Sequence, residues 1–272
     1  MNAEKFLIAS VICALGFAVN AGESKIAPLL QKSLSYKEGK IGQAVEMGKQ
    51  SRLVFKTDRI NADGGTIECL VNLKTPAVKG AFTYLFSVGN NNPVWFLIGA
   101  DDNGLSFMFR KKGSGGKYEF YASTKSKTQI KAGEWTHLTF IWGFKKEKEC
   151  ILQIYINGKV VDEKFDQTIG TQWGKNDEIF GIGCSSAGST APAFDGMFDE
   201  LRVSNYPKAP SAIKAAYQDI QAGKAPELEK GTLLLLHFDG SADGLVSDDA
   251  GIIAPEEMTK ISEKVMNEIY PQ

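Results

Sequence analysis

The sequence predicts an all-β protein, a sandwich or jelly roll of two antiparallel sheets packed face to face. Short stretches of alternating or β-branched apolar residues recur between turn residues at roughly ten-residue spacing, as in such folds. Strong hairpin signals join two pairs of these stretches, and a helical period appears only late in the chain. The predicted strands are GQAVEM, RLVFKT, GTIECLVNL, FTYLFSV, VWFLIGA, LSFMFRK, KYEFYAS, WTHLTFIW, CILQIYI, KVVDEKF, EIFGIGC and GMFDELRV.

The two hairpin signals are short turn sequences between apolar stretches. FLIGADDNGLSFMF turns at Asp102-Asn103-Gly104, and LQIYINGKVVDEKF turns at Asn157-Gly158. The Asn-Gly pair favours a type I′ turn, because both central residues of that turn need positive φ. Each sequence therefore predicts two neighbouring antiparallel strands.

Two helices are predicted after the strands. In PSAIKAAYQDIQAG, Pro210 suits the first helical position, and Gly223 follows the predicted end of the helix at residue 222. The apolar face of this helix consists of Ile213, Tyr217 and Ile220. A second, amphipathic helix is predicted over 256–269, with Met258, Ile261, Val265 and Ile269 on one face.

The N-terminus predicts export. Residues 6–19 form an apolar run that is too short for a membrane-spanning helix, and Val19-Asn20-Ala21 offers small residues for cleavage. We therefore expect a signal peptide over 1–21, no membrane span in the mature chain and a secreted, periplasmic or cell-surface protein; a retained N-terminal anchor is the alternative. The formal net charge of −1, spread along the chain, argues against nucleic acid as a partner.

Cysteine and histidine usage predicts neither a disulfide framework nor a zinc site. Cys69, Cys150 and Cys184 remain after processing, an odd number, so at least one thiol is unpaired and the state of the others is open. Cys69 alternates with apolar residues, which favours a buried free thiol. The two histidines, His137 and His237, lie far apart in sequence, which disfavours zinc.

Three ordered motifs resemble laminin-G-like domains of the concanavalin A-like lectin/glucanase class. They are GKIGQAVEMG (39–48), GEWTHLTFIW with LQIYINGKVV (133–161), and FDGMFDELRVSNYPKAP (194–210). The resemblance covers residues 39–208 and implies a jelly-roll sandwich that acts as a binding or adhesion module, with calcium and carbohydrate as frequent ligands. The matching signature residues are Trp135, His137, Asn157, Gly158, Asp195, Gly196, Asp199 and Glu200.

The sequence departs from the family pattern at one strand. A strand resembling LLLHFDG usually opens such domains, whereas here it follows the domain at 232–239. We expect this segment to pair into the same sandwich and close it, giving one domain over 22–245 and a helical tail over 246–272. The alternative is a truncated second copy, which would expose an apolar sheet edge.

The acids of FDGMFDELRVSN raise the question of hydrolytic chemistry. Retaining glycosidases need two carboxylates about 5–5.5 Å apart. Strict strand alternation places Asp199 and Glu200 on opposite faces, and Asp195 and Asp199 too far apart. The alternation predicts one face of Asp195, Met197, Asp199, Leu201 and Val203, and another of Phe198, Glu200 and Arg202.

These acids are therefore predicted to be structural. Asp199 is expected to accept hydrogen bonds from a neighbouring loop, because a buried carboxylate must be satisfied. Glu200 is expected to form an ion pair with Arg202. His137 lacks an accompanying nucleophile and is predicted to be a packed histidine with a hydrogen-bond partner.

Binding is expected in the loops, since the sandwich serves as scaffold. Trp173 with Asn176 and Asp177 combines an aromatic platform with polar side chains that suit a sugar, and Trp173 as a cover of the sandwich edge is the alternative. Asn91 lies in a second oxygen-rich loop, GNNNP. Asp101 and Asp177 are candidate calcium ligands, although a tight turn also explains the acids at 101–102.

The sequence thus predicts a secreted, non-catalytic binding or adhesion module, most consistent with carbohydrate or a glycoconjugate as partner. No cofactor is required, and calcium is an optional ligand. One alternative is a structural or assembly subunit of a cell envelope or extracellular matrix that oligomerises through the C-terminal helix. The other is a glycan-active hydrolase on the same fold.

Overall fold

A computed structural model describes residues 23–57, 60, 64–76, 83–89, 94–101, 103–112, 118–145, 149–166, 178–184 and 194–247, together with 253, 256, 257, 260, 261, 264, 265 and 268. The predicted signal peptide over 1–21 lies outside them. Among the described residues, no helix has the length and apolar character of a membrane span.

The described chain is mostly antiparallel β-structure with one complete helix, which confirms the predicted fold class. In chain order the elements are β1 (Glu23–Ile26), β2 (Leu30–Glu38), β3 (Gln43–Thr57), β4 (Gly64–Leu73), β5 (Thr83–Val88), β6 (Val94–Asp101), β7 (Gly104–Lys112), β8 (Tyr118–Ser126), β9 (Thr136–Lys145), β10 (Glu149–Ile156), β11 (Lys159–Asp166), β12 (Glu178–Ile182), β13 (Gly196–Ser204), α1 (Pro210–Gln221), β14 (Thr232–Leu236) and β15 (Gly244–Ser247).

Hydrogen bonding joins the strands in the order β11-β10-β9-β4-β13-β3-β12-β5-β6-β7-β8. The long strand β3 belongs to two layers, because residues 45–47 pair with β13 while residues 53–57 pair with β12. We call β11, β10, β9, β4, β13 and β14 the first sheet. The second sheet comprises β12, β5, β6, β7 and β8.

Aromatic side chains fill the space between the two sheets. The ring of Phe86 on β5 lies 6.4 Å from Phe140 on β9 and 5.6 Å from Phe198 on β13. Phe107 on β7 lies 6.2 Å from Trp142 on β9. All five side chains are buried, so the core is a dry aromatic layer whose burial drives sheet packing.

The β10–β11 hairpin turns at the predicted residues. Asn157 has φ of 51° and Gly158 has φ of 73°, and Ile156 pairs with Lys159 across the turn. The Asn157 side-chain oxygen also accepts the backbone N–H of His137 at 3.0 Å. The turn residue therefore holds the neighbouring strand β9 as well as its own hairpin.

Strand β13 contains a bulge that corrects the predicted alternation. Asp199 pairs with Leu70 and Arg202 with Glu68, so β13 has one residue more than β4 over this interval. As a result Phe198 and Leu201 both face the core, and Glu200 adopts a φ of 48°. The assignment of Phe198 and Asp199 to their faces was wrong, since it assumed strict two-residue alternation.

The apolar segment after the family motifs pairs within the same body. Strand β14 pairs with β13, where Leu236 lies opposite Leu201, and β15 pairs with both β14 and β1. Leu234 and Leu236 belong to the main hydrophobic core. Among the described residues, this segment therefore does not form the unpaired apolar edge that a truncated second copy would expose.

Helix α1 lies on the outer face of the first sheet. It begins at Pro210, and Ile213 and Ile220 are buried. The N-cap residue Ala209 offers no side-chain cap, and the Ser211 N–H donates instead to Glu268 Oε1 at 2.8 Å. A carboxylate is favourable at a helix N-terminus, where backbone N–H groups are unpaired.

Beyond residue 247, all the described residues except Ile253 are helical, and the stretch contacts its own domain. Val265 and Ile253 are buried, and Glu257 forms an ion pair with Lys230 at 2.7 Å. The contact of Glu268 with α1 extends this docking to the end of the stretch. These apolar and charged groups are therefore engaged within the chain.

Among the described residues, Cys69 and Cys184 carry free thiols that form no disulfide. Cys69 and Cys184 are buried, and burial raises the pKa of both thiols. The nearby Glu68 carboxylate raises that of Cys69 further. Both behave as small apolar core residues.

Candidate functional site

The second sheet brings two loop ends together at one rim of the sandwich. The Gly89 N–H at the end of β5 donates to the carbonyl of Ile179 at the start of β12, with an N···O distance of 3.1 Å. One pair further, Val88 lies opposite Phe180. We call Val88, Gly89, Glu178 and Ile179 the β5–β12 rim.

Two predicted binding loops leave the sheet at this rim. The chain continues from Gly89 into residues 90–93, and it reaches Glu178 from residues 167–177. Asn91, Trp173, Asn176 and Asp177 themselves lie outside the described residues. The strand ends to which the two loops are connected, Gly89 and Glu178, are nevertheless described. These ends belong to paired strands, although they are far apart in sequence.

Asp101 lies at the other end of the second sheet. Phe96 pairs with Val88 near the β5–β12 rim, and Asp101 is about 17 Å further along β6 at 3.4 Å per residue. Its neighbours there are the tight β6–β7 turn and the start of β5. An ion bound to Asp101 would therefore take its other ligands from the end of the sandwich opposite Glu178, the residue that follows Asp177.

The Asp101 carboxylate is engaged in its turn. Oδ1 accepts the Asn103 N–H at 2.8 Å, and Oδ2 lies 2.9 Å from Lys125 Nζ. Burial alone would raise the pKa of Asp101, but the hydrogen bonds from Lys125 and Asn103 outweigh it and lower the pKa. In the described part of the chain, no three histidine, cysteine or acidic side chains are grouped to hold a metal. The calcium assignment stays a prediction.

The Asp199 carboxylate joins β13 to the turn before β3, as expected from the sequence. Its Oδ2 atom accepts the backbone N–H groups of Lys40 at 2.8 Å and Ile41 at 3.0 Å. Asp199 is fully buried. Burial raises its pKa to about 7, with a further contribution from the neighbouring Glu200.

Glu200 pairs with His237 rather than with Arg202, which corrects the predicted ion pair. Glu200 Oε2 lies 2.6 Å from His237 Nδ1, whereas Arg202 is bound by Glu68. The bulge is the reason. The extra residue between 199 and 202 breaks the two-residue alternation that would have placed the side chains of Glu200 and Arg202 on the same face of β13. Burial raises the pKa of Glu200 despite the hydrogen bond from His237.

A buried ion cluster on the outer face of the first sheet was not predicted. Glu68 Oε2 lies 2.8 Å from Arg202 Nη2 and 2.7 Å from Lys208 Nζ, and Glu229 Oε1 lies 2.6 Å from Lys208 Nζ. Glu68, Arg202 and Lys208 are each less than a tenth exposed. The sequence signal was Glu68 itself, a charge within the apolar strand TIECLVN, which requires a buried partner.

The same outer face is covered by α1. The His137 ring stacks on Tyr217 of the helix at 5.9 Å between centroids. Neither ring nitrogen of His137 has a hydrogen-bond partner among the described residues, so the predicted partner is not found there. Burial lowers the pKa of His137 to about 4, although the Glu68 carboxylate opposes the shift. His137 is therefore a neutral packing residue at physiological pH.

The described carboxylates of β13 do not form a glycosidase pair. Asp199 is held by two backbone N–H groups, and Glu200 is held by His237. Both side chains are buried, whereas a hydrolytic pair must face each other across a groove that admits a sugar. These contacts join distant segments of the chain, which favours a structural role for both acids.

Comparison with known families identifies the fold. The model described as the concanavalin A-like lectin/glucanases superfamily, of laminin-G type, matches residues 47–214. The chain belongs to this family. The three motifs named above overlap or lie within the matched range, and the matched range begins in β3 and ends in α1.

Solved structures share this laminin-G-like fold at low sequence identity. Domain 4 of AbnA, an extracellular arabinanase from Geobacillus stearothermophilus in complex with arabinotriose, is 19% identical over 72% of this chain and 88% of that chain, with a TM-score of 0.51. A putative carbohydrate binding protein from Bacteroides ovatus is 16% identical over 78% and 59%, with a TM-score of 0.51. The binding domain of botulinum neurotoxin serotype C1 is 13% identical over 74% and 48%, also at 0.51. Curated protein sequences give no match.

Proposed function

We propose that this laminin-G-like chain is an exported carbohydrate-binding module without catalytic activity, and that it binds its glycan at the β5–β12 rim. One observation supports the proposal: the Gly89–Ile179 hydrogen bond joins the two strand ends that connect in sequence to residues 90–93, which include Asn91, and to residues 167–177, which include Trp173, Asn176 and Asp177. Adhesion to an extracellular glycoconjugate is the role that such binding would serve.

The chemistry of the two loops supports a sugar ligand. A tryptophan ring offers an apolar platform for the face of a pyranose or furanose, and burial of that face supplies most of the affinity. The amides of Asn91 and Asn176 and the carboxylate of Asp177 offer paired donors and acceptors for hydroxyl groups. The arabinotriose complex of AbnA domain 4 and the Bacteroides protein make carbohydrate a reasonable ligand class on this fold.

We propose a protein without catalytic activity because the acids of β13 are occupied by structural contacts. The carboxylates of the FDGMFDEL motif are committed to the backbone of a turn and to His237. On the outer face of the first sheet, the buried carboxylate of Glu68 is likewise bound by Arg202 and Lys208.

A glycan array probed with the mature chain tests the proposal. Trp173→Ala and Asn91→Ala are expected to lower the affinity for a bound glycan at least tenfold, because each removes a side chain that we propose to contact the sugar. The matched control is Asn103→Ala, the same change in an exposed turn at the other end of the sheet. Its affinity should equal that of the wild type.

Three outcomes would contradict the proposal. One is silence of the wild-type chain across the array, and another is an equal loss of binding in Asn103→Ala and Asn91→Ala. The third is release of reducing sugar from a bound glycan, which would show a hydrolase. Repeating the array with calcium or with a chelator tests the calcium prediction, where loss of a calcium effect in Asp177→Ala would support it.

A further inference from the structure

Four side chains meet where the turn before β3, the bulge of β13 and the end of β14 come together. Asp199 and Glu200 belong to the bulge, and His237 and Asp239 follow β14. We call these four residues the carboxylate clasp. They lie where β3 starts, whereas the β5–β12 rim lies where β3 ends.

The clasp ties three distant segments through side-chain hydrogen bonds. Asp199 holds the N–H groups of Lys40 and Ile41, and Asp239 Oδ1 accepts the Gln43 N–H at 2.7 Å. The backbone of the turn lies so close that a Cβ at Gly42 would come within 2.3 Å of Asp239 Oδ1. The turn is thus fastened from two sides by carboxylates.

The clasp has more acids than cations. Of the three carboxylates, Glu200 contacts the imidazole of His237, whereas Asp199 and Asp239 accept backbone N–H groups, and among the described residues no lysine or arginine forms an ion pair with any of the three. Lys40 contributes its backbone N–H while its own position is exposed. Asp199 Oδ1 and Glu200 Oε1 are buried without a hydrogen-bond partner in the described structure. Two adjacent buried carboxylates that have a single imidazole as counter-ion favour retention of a proton.

The backbone at the clasp is held in uncommon conformations. Glu200 has φ of 48° and Phe238 has φ of 63°, both in the left-handed region that non-glycine residues rarely occupy. Such positions persist only where surrounding contacts fix them. The contact between Glu200 and His237 joins one of these positions to the residue that precedes the other.

We propose that the carboxylate clasp is proton-operated: in mildly acidic solution it fastens the turn and the end of β14 to β13, and it loosens as the pH rises through neutrality. With His237 charged and Asp199 protonated, the imidazolium is the counter-ion of Glu200. With both protons lost, Asp199 and Glu200 are adjacent anions and the imidazole no longer carries a charge to offset them.

The direction of the pH effect follows from the two shifts. Burial raises the pKa of Asp199 from its ordinary 3.8 to about 7, so the folded protein keeps a proton that the unfolded chain has released. The contribution of Asp199 to the free energy of unfolding is therefore fully present below about pH 4, and it is lost as the pH rises to about 7. The hydrogen bond to Glu200 raises the pKa of His237, whose contribution is also lost as the pH rises. Both effects have the same sign.

Urea unfolding of the full mature chain between pH 5 and pH 8 tests the clasp. In the wild type, the unfolding equilibrium constant should rise on the order of 10- to 100-fold over this interval, because folded Asp199 loses its proton. Asp199→Asn, which keeps an acceptor for the turn but cannot ionise, should remove most of this rise. Asp195→Asn, the same change at a half-buried position in the same motif, should retain it.

Amide hydrogen exchange in the wild type gives an independent measurement should Asp199→Asn fail to fold. Corrected for intrinsic rates, protection of the Lys40 and Ile41 amides should fall between pH 6 and pH 8, while the Gly133 amide, bonded to the Leu73 carbonyl, stays protected. Constant protection at Lys40 and Ile41, or an unchanged pH slope in Asp199→Asn, would overturn the proposal. Full recovery of the protection of these amides at pH 8 on adding calcium would also overturn it, because a bound metal ion and not a proton would then stabilise the clasp.

Discussion

Replacing Glu68 by glutamine removes the carboxylate that faces two buried cations. Glu68 Oε2 receives hydrogen bonds from Arg202 Nε at 3.1 Å and Nη2 at 2.8 Å, and Lys208 Nζ lies 2.7 Å away. In Glu68→Gln the one carboxylate that these cations keep among the described residues is Glu229, whose side chain is 38% exposed, and Arg202 also keeps the Glu227 carbonyl. Removal of one partner from a buried ion pair leaves an uncompensated buried charge.

Two estimates of the loss agree. Burial would raise the pKa of Glu68, but Lys208 and Arg202 outweigh it and lower the pKa from 4.5 to about 2. At 1.36 kcal/mol per unit, this difference stabilises the folded protein by about 3 kcal/mol at neutral pH. Breaking a buried ion pair by mutation costs about 3–5 kcal/mol in other proteins. We therefore expect Glu68→Gln to lower the free energy of unfolding by about 3 kcal/mol at pH 7.

Urea denaturation at a series of pH values provides the assay. The difference between wild type and Glu68→Gln should narrow as the pH falls from 4.5 towards 2, because the stabilisation from a lowered pKa is lost on protonation. The control is Glu46→Gln, which breaks an exposed contact with Lys37 at 3.8 Å and should change stability by about 0.5 kcal/mol or less. A Glu68→Gln variant within about 1 kcal/mol of the wild type at pH 7 would refute the reasoning.

Two further predictions concern the face beneath α1. His137→Phe should leave stability unchanged or raise it by about 1 kcal/mol in thermal or urea unfolding, because both buried ring nitrogens lack a described partner; a large loss would show that one is bonded. Gly158→Ala should cost about 1 kcal/mol more than Gly133→Ala in the same assay, because both positions have positive φ but only a Cβ at 158 would meet Tyr217, at 3.1 Å. Equal losses would show that backbone strain alone accounts for the effect.

Features set by local sequence were predictable. The β10–β11 turn and the start of α1 at Pro210 depend on backbone preferences of a few neighbouring residues, and the structure has both. The bulge in β13 was missed although it left a trace. The apolar positions change from even numbers, Phe194 and Phe198, to odd numbers, Leu201 and Val203, which is what one extra residue in a strand produces.

Features set by pairing of distant strands were not predictable from one sequence. Glu68 required a buried cation, but its partner Arg202 lies 134 residues further along the chain. The meeting of the strand ends Gly89 and Glu178 likewise depends on β12 pairing with β5, two strands far apart in sequence. No local pattern specifies which strands become neighbours, because that choice is made by packing of the whole core.

The separation of the clasp from the rim determines how binding variants can be interpreted. Strand β3 has 15 residues, starts at the turn held by Asp199 and reaches the rim only at Thr57, opposite Glu178. Even with bends, it separates the two by a distance far beyond side-chain contact. Substitutions that are not in contact affect stability independently, so a loss of glycan binding in Trp173→Ala should occur with the pH dependence of unfolding unchanged. A Trp173→Ala variant that altered both would mean that the loop supports the fold, and its lost binding would then say nothing about a sugar platform.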